Sequence, residues 1–285
     1  MGNTFRTFLL LAVLSALLVL GGRAIGGQSG MVLALGLAAA MNLGSWWFSD
    51  KLALMASGAQ EIGPAEVPEV YRSVSNLVQR AGMPMPRIFL IPDATPNAFA
   101  TGRSPDKAVV AVTAGLINIL SPDELEGVLA HELAHVRNRD TLFMAIAATM
   151  AAAITMLADM ARWALIFGSG RDEDRNPLAD MVMLLVAPLA ALLIQMAVSR
   201  AREYEADAAA ARLTGRPLSL ANALLRLQQA NEIRPVHAAA AHPATAHLYI
   251  VNPLGALGLL NRLFSTHPPI EQRVEKLKGL TFQAQ

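Results

Sequence analysis

The sequence predicts a mainly helical protein with a small antiparallel β-sheet, interrupted by two apolar helical hairpins. Three observations lead there. Long apolar runs come as two pairs, within residues 7–48 and 141–199. Between and after them, apolar residues recur mostly at helical spacing. Only three short segments, all between residues 87 and 113, read as strands. Composition agrees with the apolar pairs. Of 285 residues, 54% are hydrophobic and 16% charged, against roughly 25% charged in an average soluble domain. Mean hydropathy is +0.40.

The first pair begins at Thr7. No residue from 7 to 22 is charged, and Arg6 and Arg23 bracket the run. Sixteen helical residues cover roughly 24 Å, a little under a bilayer core. The run spans a membrane only if the two arginines reach the interfaces. Residues 24–49 are uncharged too, with Trp46 and Trp47 near their end, where an aromatic belt sits. Gly26, Gly27, Gln28, Ser29 and Gly30 make a turn. Residues 1–50 are therefore expected to form a transmembrane hairpin. A cleaved leader is the competing reading, disfavoured because a second run follows at once.

The second pair lies at 141–199. Its first half carries only Asp159 and Arg162, at i,i+3 spacing, so they can pair on one face. Its second half contains Pro188, which should kink the helix. A buried hairpin docked on the membrane is the alternative. Arg137, Arg139, Arg200 and Arg202 flank the pair, whereas Arg171 and Arg175 in its loop are diluted by Asp172, Glu173 and Asp174. This bias places the polar segments on the cytoplasmic side.

The polar parts, 51–140 and 200–285, are expected to form one domain in two pieces. Val67, Val70, Tyr71, Val74, Leu77 and Val78 predict a helix over 64–79. Strands are expected at 87–91, 97–101 and 108–113. Ser121 as N-cap, Pro122 at the first helical position and Glu124 closing a capping box start a helix over 122–138. Further helices are expected at 199–213, 218–231 and 269–277.

Composition excludes some chemistry. Lys+Arg is 23 and Asp+Glu is 22, a net charge of +1. That lacks the basic excess of a nucleic-acid binder. No cysteine is present, which removes disulfides, thiol catalysis and thiolate zinc sites.

The 122–138 helix carries His131-Glu132-Leu133-Ala134-His135. Four residues are a little over one helical turn, so both imidazoles project from one face, about 6 Å apart along the axis. That spacing lets both reach one tetrahedral zinc. Glu132 stands beside the metal and can take a proton from its water. Catalytic zinc needs a third protein ligand, here a carboxylate or another histidine. The strongest candidate segment is Ser199-Arg200-Ala201-Arg202-Glu203-Tyr204-Glu205-Ala206-Asp207. Glu203 and Asp207 are at i,i+4. One can ligate while the other orients a ligating imidazole. His237, His242 and His247 are spaced by five, which aligns them on no helix face, and no role is assigned to them.

This combination resembles the HtpX-type membrane zinc metalloproteases, which are gluzincins with a zincin-like fold. Further matches are Pro96-Asn97-Ala98-Phe99-Ala100-Thr101-Gly102, Ala246-His247-Leu248-Tyr249-Ile250-Val251-Asn252-Pro253, and Ser265-Thr266-His267-Pro268-Pro269 with Arg273. The resemblance implies one Zn²⁺ per chain on His131, His135 and Glu203, with Asp207 orienting a ligand and Glu205 pointing away. It implies that Asn97, Ala98 and Phe99 line an edge strand to which peptide adds. It also implies that His267 stabilises the oxyanion or silences the site as a fourth ligand. The expected activity is endopeptidase cleavage of misfolded membrane proteins, from the inner membrane, in membrane-protein quality control. The competing classes are a catalytically silent client-binding scaffold of the same fold and a metal transporter.

Overall fold

In a computed structural model of the chain, residues 3–141, 200–233, 250 and 268–280 are described, without the side chains of some residues in the first helix and at the end of the sixth. The second apolar pair, His237, His242, His247 and His267 lie outside these residues.

Helical hydrogen bonding runs through Asn3–Ser57 (α1). It is followed by Gln60–Glu61 (β1), Pro68–Ala81 (α2), Arg87–Ile91 (β2), Ala98–Thr101 (β3), Val109–Thr113 (β4), Ala114–Ile119 (α3) and Pro122–Asn138 (α4). After residues 142–199 come Arg200–Thr214 (α5), Pro217–Ile233 (α6) and Ile270–Lys278 (α7).

Within α1, Gly27 takes a positive φ of 59°, and a side chain on Gly22 would run into Gly30 and Ala34. Eight residues of straight helix span about 12 Å, so the chain folds back between these glycines. Among the described residues, no helix is long and apolar enough to cross a membrane.

The sheet is mixed, which corrects the antiparallel expectation. Its order is β1-β2-β4-β3. β3 and β4 form an antiparallel hairpin, but β2 runs parallel to β4, with Arg87 opposite Val109 and Ile91 opposite Thr113. The chain passes from β2 to β3 across the place that β4 then fills. Short loops between three strands look alike in sequence whichever strand is inserted.

Side chains alternate across a strand, and here both faces are covered. Ile88, Val110 and Val112 join Val74, Leu77, Leu125, Val128 and Leu129 on the face toward α2 and α4. Phe89, Phe99, Val109 and Ala111 meet Ala53 and Leu54 at the end of α1 on the other. That double coverage explains why all of Val-Val-Ala-Val-Thr in β4 is buried.

α4 is the central helix and packs against α2, α5, α6 and β3. It forms as the sequence dictates, with the Ser121–Glu124 capping box made in both directions. At Gly127 a Cβ would stand 3.0 Å from the Leu220 amide nitrogen. The missing side chain lets α6 lie directly on α4. α2 starts at Pro68 rather than at residue 64, because Pro68 takes the first helical position. α3 and β1 are additions that the sequence reading lacked.

Candidate metal centre

α4 holds His131 and His135 on one face, with Nε2 atoms 3.2 Å apart and rings edge-to-face at 4.7 Å between centroids. α5 brings up Glu203. Its Oε2 lies 3.6 Å from His131 Nε2 and its Oε1 lies 3.4 Å from His135 Nε2. These residues are 1%, 3% and 1% exposed. Donors bound at ~2.0–2.1 Å to a tetrahedral zinc stand roughly 3.3–3.4 Å from one another. The observed separations, with one carboxylate oxygen toward each imidazole, are of that size, and one donor atom from each residue lies within 4.8 Å of the others, so the residues suit one metal ion.

The opposite ring nitrogens explain why the Nε2 atoms can converge. His131 Nδ1 is 3.0 Å from Asp207 Oδ1, and His135 Nδ1 is 3.2 Å from Asp140 Oδ2. Each carboxylate accepts from an Nδ1–H and so leaves the Nε2 lone pair for a metal. Asp207 is itself gripped by Arg273, whose Nε donates over 2.8 Å and whose second guanidinium nitrogen donates over 2.6 Å. That second nitrogen is also 3.4 Å from both ring nitrogens of His131.

Burial and charge set the proton affinities. Burial, aided by the Arg273 charge, lowers His131 to about 4. Burial also acts to lower His135, but Glu203 and Asp140 outweigh it and raise the ring to about 10. Burial pushes the Glu132 carboxyl up to about 7, aided by Glu203 and opposed by His135, within the range useful to a base near neutral pH. Burial works against the Asp207 carboxylate, yet the Arg273 guanidinium holds it well below the usual range.

Arg273 is fully buried, so removing it strands the Asp207 charge. Arg273→Met is expected to cost about 3–5 kcal/mol. At about 2–4 °C per kcal/mol, thermal unfolding would show a drop on the order of 10 °C.

Of the expected edge residues, Ala98 and Phe99 lie in β3, at the end of the sheet, and Asn97 just precedes it. Ala100 N–H donates to Glu132 Oε2 over 2.9 Å, and Ala98 N–H donates to Asn97 Oδ1 over 2.8 Å. Those two amides face away from β4. The Asn97 amide instead faces inward, to Thr113 Oγ1 at 2.8 Å. The outward donors of the edge are therefore taken by side chains of this chain. The Asn97 Nδ2 is buried with no acceptor among the described residues. Phe99 packs on the opposite sheet face, below Ala53 and Leu54.

Glu205 is exposed on α5, away from the triangle. Asp140 was not singled out from sequence, since nothing periodic marks it. Arg273 had a legible signal, a charge beside Val274 and Leu277 on the buried face of α7.

Comparison with known proteins follows the same line. The model of peptidase family M48 matches residues 64–281. A protease HtpX homologue of Syntrophobacter fumaroxidans is 52% identical over 98% of this chain and 100% of its own. One from Pyrococcus furiosus is 49% identical over 99% and 97%. The crystal structure of S. mikatae Ste24p has a similar fold, with a TM-score of 0.52 at 20% identity over 85% of this chain and 57% of that one. The chain belongs to peptidase family M48, as a metalloprotease of the HtpX type, and is a hydrolase of peptide bonds.

Proposed function

We propose that the chain is a membrane-anchored, zinc-dependent endopeptidase that cuts loosely folded segments of membrane proteins. The observation that carries the hydrolytic reading is the buried triangle of His131, His135 and Glu203, with a carboxylate base beside it. The donor set, two imidazoles and one carboxylate without thiolates, suits catalytic zinc. When bound, zinc supplies Lewis acidity, which polarises the scissile carbonyl and acidifies water.

The remaining steps belong to the protein. Glu132 takes the proton as water attacks and passes it to the leaving amine. Its hydrogen bond from Ala100 N–H fixes where the carboxylate stands relative to β3. Substrate aligns along the β3 edge, where main-chain pairing gives affinity with little sequence preference. Because Asn97 Oδ1 occupies the outward Ala98 amide, substrate binding exchanges that side-chain acceptor for a peptide carbonyl, while the Ala100 amide stays on Glu132. Asp207 and Asp140 keep the two imidazoles oriented.

Anchoring is supported by the uncharged runs 7–22 and 24–49. Trp47 and Phe48 are exposed near the end of α1. Arg103 stands over Trp47 at 4.3 Å and Lys51 over Phe48 at 5.6 Å, a pairing of aromatic and cationic groups that suits a headgroup layer. The arginines flanking residues 142–199 favour a cytoplasmic active site, and hence a quality-control role at the inner membrane.

The test is an assay on the full chain, purified in detergent, with a loosely folded membrane protein as substrate. Cleavage is expected to stop when a chelator strips the metal and to return on adding zinc. Cleavage indifferent to chelation would overturn the proposal.

A further inference from the structure

Around the metal triangle the same arrangement occurs twice. His131 hydrogen-bonds Asp207, and Asp207 pairs with Arg273. His135 hydrogen-bonds Asp140, and Asp140 pairs with Arg202, whose guanidinium nitrogen lies 3.6 Å from Oδ1. All four partner residues are buried, at 3%, 0%, 1% and 7% exposure respectively. The first set comes from α5 and α7. The second comes from the two places where residues 142–199 join the protease core.

The local chain is shaped for this. α4 ends at Arg139, a non-glycine residue at φ 59° whose N–H caps the His135 and Val136 carbonyls. Such a conformation is uncommon for arginine. It turns the chain back, so that Asp140 meets the ring of His135 one turn behind it. The next residue, Thr141, donates its hydroxyl to the Gly102 carbonyl over 3.2 Å, just past the β3 edge. On the returning side, Arg202 precedes the ligand Glu203 directly. Two consecutive residues, Asp140 and Thr141, thus tie the chain just before residue 142 to a metal ligand, to the helix of the third ligand and to the substrate-strand end.

We propose that Asp140 is a positioning residue for the metal centre and that, with Arg202, it couples the two ends of the 142–199 segment to His135. The inference rests on the metalloprotease reading above. An imidazole ligates through Nε2 only when the proton sits on Nδ1 and the ring faces the metal, and a carboxylate on Nδ1 fixes both. Asp207 is held by two short hydrogen bonds from Arg273. Asp140 is ion-paired with Arg202 over 3.6 Å. A displacement of the chain at residue 141 or at residue 200 reaches the metal through this pair.

The experiment measures zinc affinity of the full chain by competition with a chromophoric chelator, alongside thermal unfolding of the metal-free protein. Asp140→Asn is nearly isosteric and is expected to weaken zinc binding by roughly 10- to 100-fold. Thr141→Val removes the tie to Gly102 but leaves the Asp140–His135 bond in place, and is expected to weaken binding less than Asp140→Asn does. Arg202→Gln is expected to weaken binding less than Asp140→Asn, and the double variant to match Asp140→Asn alone, since the two act in series. Cobalt substituted for zinc adds a signature of ligand geometry, and its absorption spectrum should change in Asp140→Asn and in Arg202→Gln. If the wild type binds no stoichiometric metal, the metalloprotease reading fails. If the wild type binds but Asp140→Asn and Arg202→Gln match its affinity and cobalt spectrum, only this inference fails. An equal loss in Thr141→Val would reduce Asp140 to an ordinary structural residue and overturn the proposal.

Discussion

Glu132→Gln is expected to keep its metal and lose peptide cleavage by roughly 10²–10⁴-fold. The glutamine has almost the same shape, and its amide oxygen can still accept from Ala100 N–H, the contact that holds Glu132 in place. None of the three donor atoms of the triangle is altered. The fold should tolerate the change as well, because burial already pushes this carboxyl up to about 7, so the substitution removes a costly buried charge. What disappears is the only function an amide cannot replace, acceptance of a proton. Metal content per chain and turnover on the same preparation separate the two effects. Normal turnover in this variant would remove Glu132 as the base.

Glu203→Ala is expected to lose bound metal on dialysis, while Glu205→Ala keeps it. Glu203 is 1% exposed, with its oxygens 3.4 and 3.6 Å from the two Nε2 atoms. Glu205 is exposed to solvent. The two sit on one helix two positions apart, about 200° around the axis. Without Glu203 only two imidazoles converge, one short of the protein ligands that catalytic zinc uses. Metal analysis of the two variants side by side controls for any general effect of removing a carboxylate from α5. Equal retention would move the third ligand elsewhere.

The ease of reading differed between residues for physical reasons. The α4 site was legible because every relation in it is local. A capping box joins residues three apart, and one helical turn aligns His131 with His135. The pairing of Glu203 with Asp207 on one face was legible for the same reason. Spacing treats the two alike, and it was the family resemblance that singled out Glu203. Packing of α5 on α4 gives Glu203 to both Nε2 atoms and turns Asp207 to the back of His131.

The sheet shows the same division. Strand positions followed from β-branched apolar runs. Strand order did not, since inserting β4 between β2 and β3 depends on what covers each face. The edge strand was placed at the right residues, yet the direction of each amide depends on its pairing phase with β4. That phase turned Ala98 and Ala100 outward and Asn97 inward. Asp140 stayed hidden because its role depends on an αL turn at Arg139, a conformation that the residue type does not announce.

By itself the sequence determined the helical character of the chain, the α4 start, the two imidazoles with Glu132 beside them, and the family to which these residues point. Tertiary structure decided the mixed strand order and the two His–Asp–Arg relays, and it brings to both Nε2 atoms the Glu203 that the resemblance had singled out. Local relations are fixed by backbone geometry over one helical turn or one strand pair. The strand order depends on what covers each sheet face, and the relays join segments on either side of residues 142–199, where only burial in a shared core brings their charges close enough to act on one another.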